Sequence, residues 1–529
     1  MADAAHHEEW HPRHSPWLIA LGVMLATFMQ VLDTSIATVA LPHIAGSLSS
    51  STDEATWVLT SYMVANAIIL PMTGWLANRF GRKRVFISCI VIFTIASVLC
   101  GMALNLPMLI LSRILQGAGG GAMVPMAQSI MLESFPHEKR GIAMATFAQG
   151  VIVAPIIGPT LGGWITDNFS WRWVFYINLP VGILAVFLAQ WLVQDPPYIK
   201  RNLKAAADFL GFGFLALWLS TLQIMLDKGQ EADWFGALWI RWFAIISVIS
   251  MIAFIWRQLT VEHPLADLRV FKNRNFAVGV LLITIMGAIL YGTTAELPLF
   301  LQTLMGYPAL QSGYAMSPRG LGAFVATFFV GRLVGKIRLR WLLCVGFSLL
   351  SLSSLMLSDI NLQVSMSSVV LPGILNGVAT SFIFVPLTTA AMSQLSQRQI
   401  GNAAGLYNLM LNLGGSTGIA FVTTMIARRS QVHQALMVDH LALTDPVFAA
   451  QLAAARHALA RHADPVMAMH QADAVFYNLL NAQAHLWAFV DNFRIFSLLA
   501  FCGIPLILLF KRVRYAPKAG SDSGAVAAH

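Results

Sequence analysis

Fourteen long apolar runs set the terms on which this chain can fold. They lie at about 16–41, 56–77, 85–104, 107–133, 140–166, 173–193, 207–226, 237–256, 276–301, 311–334, 340–358, 366–394, 402–427 and 494–511. As a helix rising about 1.5 Å per residue, each is long enough to cross the ~30 Å hydrocarbon layer of a bilayer. Lipid offers no hydrogen bonds, so segments of this kind must satisfy their backbone groups internally, as helices. Of 529 residues 57% are hydrophobic and only 11% charged, a composition outside the range of water-soluble domains. The expected fold class is therefore an all-α polytopic membrane protein with about fourteen transmembrane helices.

Charge then sets topology. The net charge is +9, but the basic residues sit in short clusters between apolar runs: "NRFGRKR" (78–84), "HEKR" (137–140), "KRNLK" (200–204), "RVFKNRN" (269–275), "GRLVGKIRLR" (331–340) and "KRVR" (511–514). If the runs alternate across the membrane, all six clusters fall on one side, which the positive-inside rule makes cytoplasmic. Both termini are then inside, and a basic face for nucleic acid is excluded. Facing the other side are "STDE" (51–54), "DKGQEADW" (227–234) and the long stretch 428–493, whose Ala-rich segment 445–463 predicts one or two helices lying on the outer surface or docking on a partner.

A weak repeat divides the chain. "GWLANRFGRKR" (74–84) follows the second run and "GRLVGKIRLR" (331–340) the tenth, each a tight loop of glycine and basic residues. The matching places imply two six-helix halves, 16–193 and 258–515, with two inserted spans in 194–257, a cytoplasmic tail at 1–15 and a disordered cytoplasmic tail at 516–529. Parallel repeats of this kind carry a substrate site near mid-membrane between the halves.

Few polar side chains interrupt the runs, and those few are the candidates for chemistry. Asp33 in the first run and Arg113 in the fourth reach similar depth, so they can pair directly or through water; intramembrane ionisable groups mark ion or substrate paths. Gln30 and Gln116 lie one turn away on the same helix faces. In the fifth run Gly150, Ala154, Gly158 and Gly162 recur every fourth residue, with Pro155 and Pro159 bending the axis, which predicts a smooth, moving interface between the halves. Glu296 and Arg319 stand one to two turns from the outer face of the ninth and tenth runs, where they pair or where Glu296 attracts cationic substrates. The four cysteines and fourteen histidines show no metal-ligand spacing, and no Walker A sequence is present. No cofactor or metal is expected, and no enzymatic reaction.

The stretches "VLDTSIATVALPHIAGSL", "GWLANRFGRKR", "RILQGAGGG" and "GVIVAPIIGPTLGGWI" closely resemble the major facilitator superfamily, and within it the fourteen-span drug:proton antiporters of the EmrB type. The resemblance extends over nearly the whole chain apart from the termini and the outer loop. It implies Asp33 as the proton-coupling carboxylate and Arg113 as the basic residue of an RxxQG motif completed by Gln116 and Gly117. Gly74, Arg79, Gly81, Arg82 and Lys83 match the family's gating loop, and the fifth run its antiporter motif. Asn78 departs from the pattern, which has Asp there, so the charge pairing that latches the outward-facing state is weakened or replaced. The resemblance further implies export of lipophilic or amphipathic toxic compounds from the bacterial inner membrane in exchange for protons. A periplasmic membrane fusion (adaptor) protein and an outer-membrane channel are the implied partners. The readings that stand against this one are a proton-coupled transporter of a specific metabolite or organic acid, and a non-transporting membrane scaffold or sensor.

Overall fold

A computed structural model describes residues 12–136, 139–195, 208–262, 264–441, 444–462 and 464–511; "KRNLK", most of "KRVR" and the tail 516–529 lie outside them. In chain order the helices are α1 (Pro16–Ser47), α2 (Thr52–Ala55), α3 (Trp57–Ile69), α4 (Thr73–Phe80), α5 (Arg82–Gly101), α6 (Leu106–Gly120), α7 (Met123–Ser134), α8 (Arg140–Asn168), α9 (Trp173–Tyr176), α10 (Asn178–Leu192), α11 (Phe209–Lys228), α12 (Leu238–Thr260), α13 (Arg274–Thr303), α14 (Ala309–Leu333), α15 (Leu339–Leu357), α16 (Met366–Met392), α17 (Gln397–Val438), α18 (Pro446–Leu459) and α19 (Pro465–Ile507). Among the described residues twelve helical stretches are long and apolar enough to cross a membrane. The broken helix α6–α7 and the more polar α14 bring the total to the fourteen expected.

Local chemistry explains most of the boundaries. Asn105, Asp208, Asn273, Asp445 and Asp464 cap the first turns of α6, α11, α13, α18 and α19 through their side-chain oxygens. Ser396 and Gln399 form a reciprocal capping box on α17. Pro71 breaks the second span into α3 and α4 through a 3₁₀ turn at Leu70–Met72. The fourth span breaks at its glycines: a Cβ on Gly121 would stand 2.7 Å from the Asn66 carbonyl, so only glycine admits this approach of α6–α7 to α3. The fifth and twelfth spans, long enough to suggest kinks, run as the unbroken helices α8 and α16.

The helices form two six-helix halves with α11 and α12 added at the periphery, burying only 28% and 22% of their apolar windows against 61% for α1, α13 and α16. The halves meet through α4 and α7 on α17, and through α8 on α14 and α16. Contact is tight at the end that carries the basic loops, called the basic end below. There a Cβ on Gly74 would lie 2.7 Å from the Asn402 backbone, and one on Gly141 would lie 2.5 Å from the Val334 side chain. Asn408 of α17 donates to Gln128 of α7 at 2.7 Å, a polar bridge between the halves.

The helix expected within 445–463 is α18 (Pro446–Leu459), and beyond that expectation α17 and α19 also extend into the stretch 428–493, at 42 and 43 residues. α18 packs on α19 through Arg456 to Asp473 at 3.0 Å and Phe448 against Phe476. The opening of α17, Gln397–Gly414, buries Ile400, Ala403, Ala404, Leu406, Tyr407 and Leu409, whereas residues 428–438 are mostly exposed.

The second half packs through several glycine-to-backbone approaches, among them Gly287, Gly414 and Gly418 between α13 and α17, and Gly377 of α16, where a Cβ would fall against the Arg319 carbonyl of α14. Gly377→Val is expected to cost roughly 1–3 kcal/mol by overpacking, read as a lowered unfolding midpoint of the purified protein in detergent.

Candidate functional site

The first half encloses a cluster of polar side chains at mid-helix depth. Asp33, nearly five turns into α1, turns inward and is 2% exposed. Its Oδ2 accepts from Arg113 Nη1 of α6 at 2.7 Å. Its Oδ1 accepts from Gln116 Nε2 at 2.8 Å and from Asn178 Nδ2 of α10 at 2.6 Å. Both amides also donate to Ser97 Oγ of α5, at 2.7 Å and 3.2 Å. Four helices thus converge on one carboxylate.

Arg113 is held as firmly as its partner. Nε donates to the Val58 carbonyl of α3 at 2.9 Å, Nη1 also donates to Gln116 Oε1 at 2.6 Å, and the guanidinium lies 4.3 Å from the centre of the Tyr62 ring. Arg113 is completely buried. Charge-assisted hydrogen bonds and a stacked aromatic face replace the water that both ions have given up. The pair is direct, with no room for a bridging water, and is sealed from solvent in this conformation.

The spacing Arg113–Gln116 places both side chains on one face of α6, which explains why RxxQ reads as a unit. Gly117 follows on the same helix, and a Cβ there would stand 2.4 Å from the Tyr62 carbonyl; the glycine lets α6 approach α3 closely enough for Arg113 to reach Val58. Gln30, also buried, lies one turn below Asp33 beside Tyr62. No periodic pattern marks Asn178 or Ser97, although an asparagine opening a span, in "YINLPVG", is the type of residue that intramembrane networks use.

The residues matched to the gating loop lie at the basic end. Arg82 forms a buried ion pair with Glu133 of α7, an acid that sequence reasoning passed over. Lys83 donates to residues outside the motif, its backbone N to Asp195 Oδ1 at 2.7 Å and its ammonium to the Gln190 carbonyl. Arg79 stacks on Trp75 and Phe80. Gly81 has φ +90°, a backbone setting that favours glycine, and joins α4 to α5. Gly74 abuts Asn402, and Asn78 is exposed.

Two expectations need correction. The stripe Gly150, Gly158, Gly162 faces α1, meeting Met24, Ser35 and Ile36, so it is an interface within the first half rather than one between the halves. Pro155 leaves its carbonyl to accept from Ser35 Oγ at 3.3 Å, whereas the Pro159 side chain lies outside the described residues. Nor does Glu296 pair with Arg319. Arg319 Nη1 donates to Thr294 Oγ1 at 2.8 Å, while Glu296 is fully buried with neither carboxylate oxygen hydrogen-bonded among the described residues. Arg319 also lies deeper than expected, about 15 Å along α14 from its first residue.

A fold of two six-helix halves, an inward ion pair in the first and glycine-mediated closure at one end is the frame of one transporter group. Residues 23–419 match the sequence profile of the Major Facilitator Superfamily. The chain belongs to that superfamily. It is 40% identical over 432 residues to "Multidrug export protein EmrB" of Haemophilus influenzae, covering 81% of this chain and 84% of that protein. To "Fatty acid resistance protein FarB" of Neisseria gonorrhoeae it is 37% identical over 423 residues, covering 80% and 83%. Among solved structures, the human organic anion transporter MFSD10 (TETRAN) superposes with a TM-score of 0.60 at 14% identity, over 94% of this chain and 100% of that one, a likeness of fold. As a superfamily member the chain is a multi-pass membrane protein of transporter type, and membership points to transport rather than catalysis.

Removing one member of a buried ion pair leaves the other uncompensated, at a cost of about 3–5 kcal/mol. Arg113→Ala should therefore lower the unfolding midpoint in detergent clearly, and Asp33→Asn combined with Arg113→Gln should recover much of the loss; differential scanning fluorimetry checks both.

Proposed function

We propose that this superfamily member is a proton-coupled multidrug exporter of the bacterial inner membrane, with both termini cytoplasmic. It exports lipophilic or amphipathic toxic compounds by alternating access, and Asp33 is the group that carries the proton. The observation that carries this reading is the convergence of Arg113, Gln116 and Asn178 on a single intramembrane carboxylate. The relatives named as multidrug export proteins support the export direction and the substrate class.

The geometry suggests how coupling proceeds. With the basic end closed, Asp33 is sealed and its ionised form is balanced by Arg113. Protonation removes the charge that holds α1 to α6, freeing Oδ2 from its ion pair and weakening two amide contacts. The half then relaxes, the basic end opens and the site exchanges access; deprotonation toward the inside resets the pair. A proton moving down a membrane potential delivers ~2.3 kcal/mol per 100 mV, enough for a tenfold or greater gradient of a neutral compound. Arg79, Arg82 and Lys83 hold the closed state, with Glu133 and Asn402 standing in for the acid that Asn78 replaces.

Export across two membranes further requires a periplasmic adaptor protein and an outer-membrane channel. We assign the adaptor contact to the stretch 428–493, which carries exposed Val447, Val466, Met467 and Tyr477.

Drug efflux from cells expressing wild type, Asp33→Asn or Arg113→Ala, with and without a protonophore, tests the scheme. Wild-type efflux should collapse with the protonophore and be lost in Asp33→Asn even with the gradient intact. Sustained export by Asp33→Asn under a proton gradient removes this carboxylate from the mechanism.

A further inference from the structure

The second half holds an arginine that no acid neutralises among the described residues. Arg319 lies at mid-depth on α14 and no ion pair to it occurs among the described residues. The guanidinium is charged at any physiological pH and offers five N–H donors in a planar fork. Two are engaged, by Thr294 Oγ1 at 2.8 Å and by the Leu290 carbonyl at 3.4 Å, and both acceptors are neutral. The contrast with Arg113, whose three recorded hydrogen bonds include one to a carboxylate, is direct.

Glu296 is two residues from Thr294, about 200° around the axis of α13. It is buried on the other side of that helix, facing Asn492 of α19. The acid and the base therefore belong to separate surroundings. Arg319 and its partners Leu290 and Thr294 each keep part of their surface exposed, and Tyr291 beside them is exposed. A second polar group stands near by: Asn376 of α16 is buried with its Oδ1 unbonded among the described residues, one residue from the Gly377 that abuts the Arg319 backbone.

We infer that Arg319 is a substrate-binding residue that takes the acidic group of amphipathic organic anions, its free N–H donors matching a carboxylate while the apolar body lies along α13. The site deepens the exporter reading and rests on it for the direction of movement, though not for binding itself. An intramembrane cation without a counter-ion favours an anion that brings its own apolar cover. Selectivity follows: acidic amphipaths gain a charge-assisted contact that neutral ones lack, and cations of the same shape are repelled from it.

The test compares two probes of one shape, naphthalene-2-carboxylate and (naphthalen-2-ylmethyl)trimethylammonium, with wild type, Arg319→Gln and Arg319→Lys at matched membrane levels. In everted vesicles energised with a proton gradient, Arg319→Gln should reduce carboxylate transport roughly tenfold to a hundredfold, leave ammonium transport intact, and Arg319→Lys should restore part of the loss. Where the wild type moves the carboxylate, equal carboxylate transport by Arg319→Gln, or equal loss of both probes, overturns the assignment. Equilibrium binding of the carboxylate to purified protein in neutral-lipid nanodiscs separates this from the exporter reading. Binding lost in Arg319→Gln supports the site even where the wild type moves neither probe, and binding unchanged overturns it.

Discussion

One buried carboxylate organises the first half of this transporter. Taking Asp33 and Arg113 out of water costs several kcal/mol per ion, and that cost is offset only by excellent geometry and by saturation of their remaining lone pairs and protons. The four helices α1, α5, α6 and α10 supply most of both through Gln116, Asn178 and Ser97, while Arg113 Nη2 has no hydrogen-bond partner among the described residues and the guanidinium lies against the Tyr62 ring. The smooth glycine face of α6 follows from the same requirement, since α6 must approach α3 closely for Arg113 to reach the Val58 carbonyl, whereas the glycines of α8 serve its own close packing on α1. A site of this kind is stable only while every member is paired, which makes a single proton a large perturbation.

Much of this was legible in the sequence, for physical reasons. Membrane thickness fixes the length of each span, so their number and order could be read directly, and a charged residue in an apolar run has few purposes, so Asp33 and Arg113 stood out. What spacing could not give was direction. The stripe at Gly150, Gly158 and Gly162 announces a close helix neighbour but not which one, and α1 rather than the opposite half occupies it. Glu296 and Arg319 have similar depth in sequence, yet the helical twist between Thr294 and Glu296 turns them to different sides of α13. Asn178 and Ser97 were missed because single neutral residues in a span carry no pattern. The continuation of α17 and α19 was hidden by their polar outer portions, where hydropathy falls although the helix does not end.

The two halves are unequal in charge logic. The first pairs its intramembrane acid and base, and pairs a second set, Arg82 with Glu133, near the basic end. The second keeps its acid and base apart. Repeat architecture thus preserves the backbone while assigning the halves different chemical work, with charge balance closed on one side and left for a solute on the other.

The fourth span has a mechanical aspect that follows from its break. Arg113 sits on α6 and Glu133 on α7, so two buried ion pairs of the first half hang from opposite arms of one helix, joined at Gly121 and Ala122. An elbow between two anchored arms transmits torque only as far as the joint is stiff. Whatever loosens one arm reaches the other through that joint, so the stiffness at Gly121 decides how far a change at Asp33 is felt at Glu133.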